Sequence, residues 1–98
     1  MTEKELLEHL EKSYEAFMVP LRMGDGFDQK LFDELCKLLD ECVDTWKESD
    51  SIPKQAAMIF VDAFSAMTSS SFLYEDDKRE QIDMAADEIN DIIRRCVE

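Results

Sequence analysis

A chain of 98 residues with 24 Asp and Glu against 11 Lys and Arg carries a formal net charge of −13. A field of that sign repels nucleic-acid phosphates and anionic membranes and draws cationic proteins. The length holds one domain around one core, without room for a catalytic domain and a second module, while 45% apolar residues with only two Gly and two Pro exclude a disordered tail and a turn-rich sandwich.

The first apolar series, Leu6, Leu10, Tyr14, Phe17 and Leu21, recurs at helical spacing, with Leu7 and Met18 on its flanks. Thr2 stands three residues before Glu5 and predicts a capping box. Pro20 lacks an amide hydrogen and disfavours helical geometry at Val19, so a helix over 3–19 is expected. In the connector that follows, Gly24-Asp25-Gly26 lacks both the twelve-residue oxygen pattern of a calcium loop and the lysine of a phosphate loop. Asp28 suits an N-cap, with Phe27 stapled against Phe32. Leu31, Phe32, Leu35, Leu38, Leu39, Val43 and Trp46 then predict a helix over 29–48.

The third segment is read over 52–67, with Pro53 tolerated in its first turn. A helical wheel puts Ala56, Ala57, Phe60, Ala63, Phe64 and Met67 on one side, widened by Ile59 and Val61. Only Met58, Asp62 and Ser65 are left for solvent, so this helix is expected at the centre. Ile82, Ala85, Ala86, Ile89, Ile92, Ile93 and Cys96 stripe the fourth segment, and the capping spacing of Asp77 and Glu80 predicts a helix over 78–96. Four such segments on short links define an all-α chain, a compact antiparallel bundle of about four helices in a single domain over residues 1–98.

The stretch Ser69–Asp77, SSSFLYEDD, joins the last two segments. Extending the fourth helix backward puts Leu73 opposite Ile82 and sets Phe72 and Tyr74 about 80° to either side, off the core stripe. Phe72 and Leu73 are read as a loop plugging the bundle end. Tyr74 is read as a ring offered to a partner with its hydroxyl left wet.

Acid is unevenly spread. Residues 25–50 hold nine acids and three bases, and 75–98 hold nine and four, whereas 51–74 hold one of each. Asp40, Asp44 and Glu48 follow one another at four-residue steps, and Glu80, Asp83, Asp87 and Asp91 at steps of three and four. Like charges so spaced weaken their own helix by a few tenths of a kcal/mol each. Met84 lies among the second group. The candidate partner-binding residues are therefore Leu73, Tyr74, Glu75, Asp76, Glu80, Asp83, Met84, Asp87 and Asp91, with Asp40, Asp44 and Glu48 as a secondary acidic face.

Chemistry finds little footing. His9 is the only histidine, and no Glu-x-x-His pair exists for a di-iron bundle. Cys36, Cys42 and Cys96 lack metal-ligand and disulfide spacing, which fits packing in a reducing cytoplasm. Ser69, Ser70 and Ser71 have no nucleophile elbow around them. No cofactor or metal and no catalytic activity are expected. The start of the chain enters an amphipathic pattern at once, without a secretory signal. Its longest apolar run, Ala56 to Val61, is far too short to span a membrane.

The leading expectation is a small acidic protein-binding domain, an inhibitor or immunity-type protein that neutralises a basic partner such as a nuclease toxin. The alternative from another class is a homodimeric structural or regulatory bundle meeting through the neutral third segment. A DNA mimic is a narrower version of the first. Direct nucleic-acid or membrane binding is not expected.

Overall fold

The computed structural model describes residues 1–98 as four helices without strands: α1 (Glu3–Arg22), α2 (Gln29–Trp46), α3 (Lys54–Ser71) and α4 (Asp76–Val97). The all-α bundle expected from the apolar periodicity is what the chain forms. It measures 40 × 23 × 19 Å.

Two helix starts follow their caps. The Thr2 hydroxyl accepts the Glu5 amide at 3.2 Å, and Asp28 accepts the Leu31 amide at 3.1 Å, each satisfying a donor that the first turn leaves without a partner. Phe27 and Phe32 pack with ring centroids 5.5 Å apart, and Phe17 closes the group at 5.5 Å from each.

The helix ends correct several expected boundaries. α1 does not stop at Val19 but runs through Pro20 to Arg22. Pro20 lies in the last turn, and the carbonyl it deprives of a donor belongs to the exposed Ala16, which water can reach. Beyond Met23, Gly24 takes φ +78°. Its amide donates to the Leu21 carbonyl at 3.2 Å, and that of Asp25 donates to the Pro20 carbonyl at 2.9 Å. This double closure is the Schellman motif, which glycine permits without strain. α2 ends at Trp46 rather than residue 48, and α3 starts at Lys54 and runs on to Ser71 rather than 67. α4 begins at Asp76, two residues before the expected start, with Glu75 at the N-cap and no side-chain cap. The Asp77–Glu80 capping pair therefore does not form. The carboxylates of Asp76 and Asp77 instead sit in the first turn, where the helix dipole favours them.

The helices stand at the corners of a square in the order α1, α2, α4, α3, since the backbones come close only between neighbours in that order and not across the α1–α4 and α2–α3 diagonals. Consecutive helices run antiparallel: the Trp46 indole at the end of α2 donates to Glu3 at the start of α1, at 2.8 Å. The two hairpins lie side by side, so α1 runs parallel to α3, and α2 to α4. Tyr14 donates to Asp62 across the first of these pairs at 2.6 Å, joined by Arg22 on the same carboxylate. The Cys96 thiol donates to the Cys42 carbonyl across the second at 3.5 Å.

A single core of 22 buried residues fills the square. Because α3 is a corner like the others, it is not central, and the expected apolar arc is too wide. Val61 is 80% exposed and Phe64 38%, alongside Met58 at 73%. The buried side of α3 is the narrower Ala56, Phe60, Ala63 and Met67.

Candidate protein-binding surfaces

The connection from α3 to α4 inverts the expectation for SSSFLYEDD. Ser70 and Ser71 are buried, and the Ser71 hydroxyl donates to the Thr68 carbonyl at 2.7 Å. Phe72 and Leu73 do not plug the bundle end. They are 73% and 58% exposed, with the Arg79 guanidinium 5.2 Å from the Phe72 ring centroid. Tyr74 is the residue that turns inward. Its hydroxyl donates to the Leu21 carbonyl at 2.9 Å and accepts the Gly26 amide at 3.0 Å, so it is neither wet nor free. The tyrosine clamps the end of α1 to the α3–α4 link: it gives the Gly26 amide, which no helix pairs, an acceptor, and it adds a second donor to a Leu21 carbonyl already bonded to the Gly24 amide.

The acidic residues divide according to which neighbour their helix faces. Asp77, Glu80, Met84 and Glu88 line a cleft of about 370 Å³ at the start of the α2–α4 seam, floored by Phe27 and Phe32. Farther along the seam, Asp33 and Asp40 approach Cys36 from α2. Burial, Glu88, Asp33 and Asp40, in that order, push the Cys36 thiol up to about 12. Five carboxylates from two helices thus border one seam. Arg95 is the cation recorded against them, 3.7 Å from Asp40.

Of the residues expected to bind a partner, Glu80 and Met84 meet in this cleft, and Asp40 borders the same seam. Asp83, Asp87 and Asp91 do not line the cleft, and Glu75 at the N-cap and Asp76 in the first turn of α4 are both exposed. Asp44 and Glu48 are exposed, Glu48 beyond the end of α2. Sequence reasoning missed Asp77, Glu88, Phe27 and Phe32 as partners of Met84. The available signal was the spacing 77, 80, 84, 88, a second helical series beside the one chosen.

Nothing in this geometry resembles a reaction centre. No group of three or more His, Cys, Asp or Glu is gathered to hold a metal ion. Burial and the nearby Cys96 and Glu41, in that order, push the Cys42 thiol up to about 12, and burial raises Cys96 as well. The three thiols are thereby held protonated, the unreactive form. No helix is long and apolar enough to cross a membrane. Comparison with known proteins finds no matching family model, curated relative or solved structure.

Proposed function

We propose that the chain is a non-catalytic protein-binding domain that takes a basic segment of a partner protein along the α2–α4 seam. Its most concrete form is an inhibitor or immunity-type protein that neutralises a cationic enzyme such as a nuclease. The observation that supports this reading is the cleft itself, where Asp77, Glu80 and Glu88 surround Met84 over two phenylalanine rings. A lysine or arginine of the partner would find carboxylates for its head and apolar surface for its stem. The remaining negative charge would steer encounter and raise the association rate more than the affinity.

The test compares wild type with Glu80→Lys/Glu88→Lys in retaining proteins from the native cell at low salt, followed by association kinetics with the purified partner. Two reversals at close charge pairs are expected to weaken binding about 100-fold, with helix content unchanged. Wild-type association should slow steeply as salt rises. Equal retention by the double variant, or binding indifferent to salt, would sink the reading.

A further inference from the structure

The seam is a trough between two parallel helices. Phe32, Ala85 and the half-buried Cys36 lie low in it, and Met84 stands 66% exposed on its α4 side. Carboxylates border both sides. Asp33 and Asp40 are two turns of α2 apart, about 10.5 Å, while Asp77, Glu80 and Glu88 span three turns of α4, about 16.5 Å. Met84 comes four residues after Glu80 and four before Glu88. Of the five carboxylates only Asp40 is in an ion pair, with Arg95 at the far end. Lys78 reaches the near rim through the Gln81 amide, at 3.1 Å. Gln81 and Gln29 meet across the trough at 3.5 Å, beyond the usual length of a hydrogen bond, so both amides can turn to a docked side chain at little cost.

We infer that the partner segment seated here is a basic amphipathic helix, an inference that rests on the seam being the binding surface. Two observations select a helix. Between their first and last turns α2 and α4 spend their main-chain hydrogen bonds internally, so the trough has no free edge for a strand to pair with. An extended segment pressed into it would leave backbone groups facing the apolar floor without partners, whereas a helix arrives with its own already paired. Width agrees with this. The axes of packed helices stand about 8–10 Å apart, and a helix about 10–12 Å across rests against both.

The charges then set the register. Read from the far end, Glu88, Met84, Glu80 and Asp77 follow at steps of four, four and three, the period of one helical face. Their complement is a partner helix that repeats cation, apolar residue, cation, cation at the same steps. The free carboxylates meet the cations, and the apolar residue meets Met84.

The test titrates the purified full chain at low salt with three synthetic peptides of about 16 residues, long enough to cover the trough. The first has arginine at its third, eleventh and fourteenth positions and leucine at its seventh, in a background of alanine and glutamine that favours a helix. The second has the same composition with those four residues spread around the helix. The third is the first with proline at its ninth position, which breaks the helix. The first peptide should gain helical circular dichroism on binding, and the other two should bind at least about tenfold more weakly. Met84→Ala, at an exposed position where alanine suits a helix, should weaken the first peptide about fivefold. Glu80→Lys/Glu88→Lys should abolish its binding. Equal binding of the proline peptide, or no gain of helix, overturns the inference, while a loss with Glu80→Lys/Glu88→Lys in the same titration upholds the seam. Binding of the first peptide that ignores the double variant overturns both. No binding of that peptide at millimolar concentration overturns the helix and leaves the seam to the retention of native partners.

Discussion

Tyr74→Ala is expected to destabilise the bundle by about 3 kcal/mol, at the lower end for removing a buried aromatic because the ring is only half-buried. Two losses combine: the ring leaves its packing against the core, and the Leu21 carbonyl and Gly26 amide lose the hydroxyl that joins them. Tyr74→Phe separates the two. It keeps the ring and removes the hydroxyl, for an expected loss of about 1–2 kcal/mol. Urea unfolding of both variants measures the difference, and the alanine variant should melt roughly 12–24 °C lower. A change below about 0.5 kcal/mol in Tyr74→Ala, the size of an ordinary surface substitution, would mean that the clamp does not hold the end together.

Alkaline pH is expected to weaken the fold. Burial and Asp62 raise the Tyr14 hydroxyl above its usual value of 10. Cys36 and Cys42 move from about 9 to about 12, and Cys96 moves upward too. In each case the folded chain holds a proton that the unfolded chain releases earlier. These groups therefore contribute stability that is fully present below about pH 9 and is lost as pH rises toward the folded values. For Cys42, which is fully buried, the slope is about 1.4 kcal/mol per pH unit between about 9 and 12. Cys96, the half-exposed Cys36 and Tyr14 steepen it. Unfolding by urea at pH 7, 9 and 10.5 should give nearly equal midpoints for the first two and a markedly lower third. Cys42→Ala should flatten the fall. A midpoint unchanged at pH 10.5 would count against the buried, protonated thiols.

The helix interiors were legible because apolar residues at steps of three and four allow only one buried stripe, as in Leu6, Leu10, Tyr14 and Phe17. The ends were less so. Leu21 already stood in the apolar series, but a proline rule applied to Val19 overrode it and could not see that Gly24 closes the turn; together Leu21 and Gly24 hold Pro20 inside α1. The acidic series on α4 was visible, but which flank meets α2 depends on the order of helices around the square. A wheel drawn for one helix does not contain that order, so Glu80 and Met84 were found and Glu88 was not. Tyr74 was misjudged for a similar reason, since its partners lie 53 and 48 residues earlier and no local pattern points to them. Val61 and Phe64 were taken for core because a wide apolar arc normally means burial. On α3 part of that arc has nothing to cover it within one chain.

The paired hairpins place Gly24, Tyr74 and the mouth of the seam cleft at one pole of the bundle. The Lys47–Pro53 crossing and both ends of the chain lie at the other, where Trp46 meets Glu3. α4 alone is about 33 Å long. A tag, tether or fused domain joined at residue 1 or 98 would therefore hang from the pole farthest from the cleft.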